Sequence, residues 1–140
     1  MYLLDVNVWL ALIFQRHLHH QPASDWFTAA PENSCCFCRI TQMSFLRLAT
    51  TPQVMMTDVL TLAAAWLAFD ELYNDPHVVF AEEPQGIEPL WRSYTQHQSF
   101  SPKVWNDAYL AAFAQAADFE VITFDKGFSQ YKNLRLTILT

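Results

Sequence analysis

Two short apolar runs at opposite ends of the chain each lead into an aspartate. One is Tyr2-Leu3-Leu4-Asp5; the other is Glu120-Val121-Ile122-Thr123, followed closely by Asp125. Runs of this length are too short for helices and suit strands buried on both faces of a sheet. A carboxylate set between Leu4 and Val6, as Asp5 is, costs free energy unless it is paired or liganded. The pattern therefore asks for a buried sheet whose strand ends carry charge.

The rest of the chain supplies the helices that cover such a sheet. Val6 to Phe14 is apolar almost all round and reads as a buried helix. Arg16 to Pro22 reads as a loop, and Ala23 to Ala30 as a helix stopped by Pro31. Ser34 to Phe37 reads as a second strand. Ile40 to Thr50 reads as a helix ended by Thr51-Pro52. Thr57 and Asp58 are cap residues for a helix over Val59 to Tyr73, which Asn74-Asp75-Pro76 stops. His77 to Ala81 reads as a strand, Pro89 to Gln96 as a helix with proline in its first turn, Val104 to Ala117 as the clearest helix, and Arg135 to Leu139 as the last strand. Strands alternating with helices predict an α/β fold, a mainly parallel central sheet covered on both faces. The 140 residues fit one domain, with 52% apolar residues to fill its core.

Three cysteines crowded at Cys35, Cys36 and Cys38 form no disulfide framework and read as core residues, with Cys36 and Cys38 on one face of the strand. No apolar run reaches the roughly 20 residues that span a bilayer, and the N-terminus lacks the basic and apolar regions of a signal peptide, so a cytoplasmic location with no membrane partner is expected. The net charge of −6 argues against a general nucleic-acid coat. It leaves room for an enzyme that meets nucleic acid through a bound cation, which reverses the sign of charge locally.

If the two acid-tipped strands are parallel, Asp5 and Asp125 stand at the same sheet edge. Asp107 falls in the first turn of the Val104 helix, which runs straight into the Val121 strand, so its N-terminus lies at that edge too. Three carboxylates at one point repel unless neutralised. A hard divalent cation with oxygen ligands, Mg²⁺ or Mn²⁺, does this and can assist water attack on a phosphodiester. Taken singly, Asp107 is equally an ordinary helix acid and Asp125 an ordinary turn residue.

These same residues carry a family resemblance. Leu3-Leu4-Asp5-Val6-Asn7-Val8-Trp9-Leu10 resembles the opening of PIN domains. Trp105-Asn106-Asp107-Ala108-Tyr109-Leu110-Ala111-Ala112 and Thr123-Phe124-Asp125-Lys126-Gly127-Phe128 resemble two later elements of that family, in the same order and spacing. The stretches Ile40 to Leu48 and Leu90-Trp91-Arg92 are similar to its VapC branch, the toxins of toxin–antitoxin pairs. The resemblance covers nearly the whole chain. It implies a PIN-like three-layer α/β/α fold and a Mg²⁺- or Mn²⁺-dependent endoribonuclease that cuts structured RNA such as tRNA or rRNA. It also implies a homodimer and inhibition by a VapB-like antitoxin. By the resemblance Asp5, Asp107 and Asp125 are metal ligands, and Asn7 and Thr123 hold those carboxylates in place. Asn106 has the same role open to it, or that of a helix cap.

One position departs from the family. Most PIN domains have a fourth acid, a glutamate, where Ser44 stands here. Ser44 has two roles open, holding a metal-bound water or simply packing. Arg47, one turn on, has the roles of binding the scissile phosphate or pairing with a site acid. The missing acid also leaves open a PIN-like binding module with weak catalysis. A phosphoryl-accepting receiver domain is a third class, but it needs a paired acid by the first strand and a lysine at a late strand end, which are not evident.

Other residues have simpler readings. His17, His19 and His20 fit no zinc spacing and read as a solvated loop. Glu82, Glu83 and Glu88 read as a solvated acidic stretch able to attract a basic partner segment. Trp66, Trp91 and Trp105 read as core or dimer contacts in preference to base-stacking platforms, and Arg16, Arg92 and Lys103 are candidate phosphate contacts.

Overall fold

The computed structural model describes residues 1–140. Five short strands, β1 (Tyr2–Leu4), β2 (Cys35–Phe37), β3 (Val78–Phe80), β4 (Glu120–Thr123) and β5 (Arg135–Ile138), form one sheet. Their order is β3-β2-β1-β4-β5, and every pairing is parallel. The inner strands β2, β1 and β4 are paired on both sides and largely buried, whereas the edge strands β3 and β5 are mostly half-buried.

Side chains alternate across the sheet and split the core in two. Leu4, Cys35, Phe37, Val78 and Ile122 face a layer built from α1 (Val6–Ile13), α2 (His20–Ala29), α3 (Arg39–Ala49) and α5 (Leu62–Tyr73). Trp9 is the anchor of this side, fully buried and stacked on Phe37 at 3.8 Å between ring centroids. Leu3, Cys36 and Val121 face the other layer, made by α6 (Ile87–Tyr94) and α7 (Lys103–Ala117), together with Cys38 and Phe128. The architecture is the three-layer α/β/α arrangement expected. Cys36 and Cys38 do share a side, and burial pushes the Cys35 and Cys36 thiols up to about 11 and about 12, which keeps them inert. No single helix is long and apolar enough to cross a membrane.

Several helix starts differ from the sequence reading, each for a local reason. The segment read as a loop from Arg16 to Pro22 already turns into α2 at His20, whose ring Nδ1 lies 2.7 Å from the Ala11 carbonyl. Pro22 is third in that helix, where its missing N–H costs no hydrogen bond. Thr57 and Asp58 do not cap α5. They lie in a 3-10 turn, Met56–Asp58, and Thr61 caps α5 by accepting from the Ala64 N–H at 3.1 Å. The backbone N–H of Leu60 is meanwhile used on the Ala49 carbonyl at 2.9 Å, which holds that residue outside the helix. Helix α6 starts at Ile87, after Gly86 in the left-handed region at φ 80°, so Pro89 is its third residue. A short helix, α4 (Pro52–Met55), precedes the 3-10 turn.

Candidate active site

The sheet order reverses between β1 and β4. Strands to one side of that pair continue through β2 and β3, and strands to the other through β5. In open parallel sheets the crevice outside the carboxyl ends at such a point is where ligands bind. Asp5 follows β1 and Asp125 lies two residues beyond β4, so both stand at this crevice. The register Leu4↔Ile122 sets Asp5 beside Thr123.

Asp5 is the most constrained of the acids. It ends β1 and caps α1, taking the Val6 N–H on Oδ1 at 2.7 Å. Its Oδ2 accepts from Thr123 Oγ1 at 2.7 Å and from Asn7 Nδ2 at 2.8 Å. Thr123 Oγ1 in turn accepts from the Asn7 amide at 3.1 Å and from the Asp125 N–H at 3.0 Å, and Asn7 Oδ1 accepts the Phe124 N–H at 3.3 Å. Asn7 and Thr123 thus lock the two strand ends together and aim Asp5. Burial raises the pKa of Asp5, the donors from Thr123 and Val6 oppose that shift, and the Asp125 charge adds to it.

Asp125 has a different setting. Its Oδ1 accepts the Gly127 N–H at 2.7 Å and its Oδ2 accepts from Lys103 Nζ at 3.0 Å. The Gly127 N–H first, then Lys103, holds its carboxyl below the usual carboxylate range. A Cβ at Gly127 would stand 2.9 Å from Asp125 Oδ1, so any larger residue there would displace that carboxylate.

Asp107 is the one acid of the three with no protein hydrogen bond or ion pair. It lies fifth in α7, past the first turn where the sequence reading put it, because the helix begins at Lys103 on an uncapped Pro102. The dipole benefit assigned to it is therefore reduced, since that field fades within the first turn. Burial, then the charge of Asp5, pushes its carboxyl up to about 6; Lys103 opposes the shift and Asp125 adds to it.

The three acids line one cleft of about 700 Å³, together with Asn7, Ser44, Arg47, Lys103 and Asn106. Ser44 is buried to 8% exposure and presents to this cleft with no side-chain hydrogen bond. Arg47 is exposed and makes no ion pair, so it is not the partner of a site acid in this arrangement. That part belongs to Lys103. Asn106 is the fourth residue of α7 and caps nothing. No three His, Cys, Asp or Glu side chains stand together at coordination spacing. The physical reason is visible: Asp5 and Asp125 spend their oxygens on their own donors, and Lys103 draws Asp125 to itself.

A PIN-domain model matches residues 2–134. The chain belongs to the PIN-domain family. Within it the chain is of the VapC type: it is 42% identical over 144 residues to Ribonuclease VapC41 of Mycobacterium tuberculosis, with 99% of both chains covered. Ribonuclease VapC44 of the same organism is 35% identical over 126 residues, covering 89% of this chain and 85% of the relative. Among solved structures, that of VapBC2 from Rickettsia felis, bound to a DNA fragment from its promoter, shares the fold at a TM-score of 0.69 and 11% identity. It covers 99% of this chain and 98% of that one. The Mycobacterium tuberculosis VapC20 structure, a Sarcin-Ricin loop cleaving toxin, matches at 0.66 and 15%, covering 96% and 99%.

Two contributors to this PIN-domain cleft escaped the sequence reading. Lys103 reads from the sequence as a phosphate contact; its four-residue spacing to Asp107 signals a lysine among the acids, but the carboxylate it pairs with is Asp125, which no local spacing indicates. Gly127 follows Asp125 by two residues, the signature of a carboxylate bonding the backbone two positions on. Of the tryptophans read as core or dimer contacts, Trp91 packs partly buried against the core, whereas Trp66 and Trp105 are 50% and 59% exposed; Trp91 and Trp105 line the cleft. Nor are the three histidines simply solvated, for His20 opens α2 and the His19 ring stacks on Phe124 at 4.4 Å.

Proposed function

We propose that this PIN domain, acting as one unit over residues 1–140, is a toxin-type endoribonuclease that cuts structured RNA with the aid of Mg²⁺ or Mn²⁺. The observation that carries the reading is the convergence of Asp5, Asp107 and Asp125 on one cleft, with Asp107 bearing a disfavoured and unpartnered charge. Hard oxygen donors of this kind suit Mg²⁺ or Mn²⁺. Asp107, and Asp125 once Lys103 lets go, would hold the cation with Asp5. When bound, the cation supplies Lewis acidity at the phosphodiester and neutralises the three carboxylates.

The chain's own residues do the rest. Asn7 and Thr123 orient Asp5, because both donate to the same oxygen, and the Thr123 donor opposes the upward shift that burial imposes on its carboxyl. Arg47 and Lys103 stand on the cleft wall as cations for the RNA backbone, and Arg47 is free of any carboxylate. Ser44 leaves the space of a larger acid side chain open beside them. The domain works in the cytoplasm as a homodimer and is silenced by a VapB-like antitoxin; VapBC complexes among its structural neighbours support that partner. A non-catalytic module is not favoured, since the full-length relatives bear the name ribonuclease.

The test is cleavage of total tRNA and rRNA by the purified chain. Cutting should require Mn²⁺ or Mg²⁺, stop in EDTA, and fall roughly 100-fold or more in Asp5→Asn, the scale on which a misplaced charged group counts in catalysis. Full activity in EDTA would remove the metal, full activity in Asp5→Asn would remove Asp5, and no cutting of any RNA would remove the enzyme.

A further inference from the structure

Beyond the acids, the same cleft has an aromatic wall. Trp105 and Trp91 stand in it with Lys103 and Arg47. Trp105 is 59% exposed although it lies on the most buried helix of its layer. It also lines a second hollow of about 420 Å³ with His97, Ser99 and Phe100, so it adjoins both that hollow and the cleft of the acids.

Trp91 meets Trp105 at its backbone and at its ring. Trp91 Nε1 donates to the Trp105 carbonyl at 3.0 Å, and the two rings meet at 81° with centroids 6.2 Å apart. Trp91 is itself held edge-on to Tyr109, at 5.3 Å and 83°, and the Tyr109 hydroxyl donates to Glu83 at 2.6 Å. Trp105 is in edge contact with Trp91 and is still 59% exposed, so it keeps accessible surface on the cleft wall. An exposed indole sharing a cleft with two cations and three carboxylates matches the chemistry of an unstacked nucleotide: backbone charge on Lys103 and Arg47, a base on the ring.

We propose that Trp105 is a base-stacking platform that takes an unpaired nucleobase beside the scissile phosphate and so selects single-stranded or splayed positions in the RNA. This rests on the ribonuclease reading for its substrate class. Every base has a π face, so the platform selects for an unpaired nucleotide and is tolerant of which base it carries. Trp91 is a positioning residue that acts through Trp105.

The test is a cycle between protein and RNA. The probe is a short single-stranded RNA of mixed sequence, intact or with one abasic site placed at each position in turn. Binding is measured with Mg²⁺ present in the Asp5→Asn background, alone and with Trp105→Ala or Trp105→Phe added. Trp105→Ala should weaken binding about tenfold, within the range of base–aromatic stacking, and Trp105→Phe should restore most of it. One abasic position should weaken the Trp105 protein by the same factor and leave the Trp105→Ala protein unchanged. In the Asp5-intact protein, Trp105→Ala should raise KM far more than it lowers kcat. Unchanged affinity in Trp105→Ala, or losses that multiply at every abasic position, would overturn the platform. So would an affinity loss that accompanies conversion of a dimer to a monomer in sedimentation, which would assign Trp105 to the contact between copies. A cycle that closes as described in a protein that cuts no RNA would support the platform while the ribonuclease reading fell.

Discussion

Asp107 should destabilise the protein it serves. Its carboxyl is pushed from an ordinary value of 3.8 up to about 6 by burial and by Asp5. A folded-state pKa raised above the unfolded one means that the folded chain holds the proton more tightly. The stability this confers is fully present below about pH 4 and is lost as pH rises through about 6. A shift of roughly two units corresponds to at most about 3 kcal/mol. Asp107 is only part-buried, so solvent screening reduces this to about 1 kcal/mol. Asp107→Asn removes the charge and keeps the shape. In EDTA at about pH 7.5 the variant should therefore melt a few degrees above the parent, since about 1 kcal/mol moves the midpoint of a domain of this size by roughly 3–5 °C. The gain should shrink towards zero as the pH is lowered to about 4, because the parent then becomes neutral too. Saturating Mn²⁺ should reverse the order, since the cation binds the parent's folded state more tightly. Thermal melts of both proteins across this pH range, with and without Mn²⁺, check all three statements. A variant that is no more stable than the parent in EDTA at about pH 7.5, or a gain independent of pH, would refute the reasoning.

Three further outcomes follow from the same geometry. Lys103→Met should free Asp125 and tighten Mn²⁺ binding several-fold in calorimetry, whereas weaker binding would show that Lys103 helps the cation instead of competing with it. Gly127→Ala places a methyl 2.9 Å from Asp125 Oδ1, so Mn²⁺ affinity should fall about tenfold while urea-unfolding stability changes by no more than about 1 kcal/mol; unchanged affinity would clear Gly127 of any such role. Thr123→Val removes the shortest donor to buried Asp5 Oδ2 and should cost about 1–3 kcal/mol in urea unfolding, more at neutral than at acid pH; a loss independent of pH would mean that packing, not the Asp5 charge, is what Thr123 serves.

Much of this was legible before the fold. The apolar runs at Tyr2–Leu4 and Val121–Thr123, with an acid at or just past each end, already specify a doubly covered parallel sheet. They also place Asp5 and Asp125 at one edge, because side-chain period and burial are properties of the local sequence. Helix boundaries were less legible. Whether α5 starts at Val59 or Leu62 turns on the Leu60 N–H finding the Ala49 carbonyl, and His20 joins α2 beside the Ala11 carbonyl; neither contact can be read from neighbouring residues.

At the cleft the division is sharper. The identity of the three acids belonged to the sequence, since it rests on residue types at strand and helix ends. Their electrostatic characters did not. Asp5 is buried and bonded, Asp125 is held by Lys103 and Gly127, and Asp107 is left without a partner. A carboxylate's pKa depends on how many donors and charges lie within a few ångströms and how much water is excluded, and apart from the local Gly127 contact those are set by other segments: Thr123 stands 118 residues from Asp5, and Lys103 22 from Asp125. The exposure of Trp105 is of the same kind. From residue type alone Trp105 reads as a core or dimer contact; with its neighbours in place it is 59% exposed, in edge contact with Trp91, on the wall of the cleft.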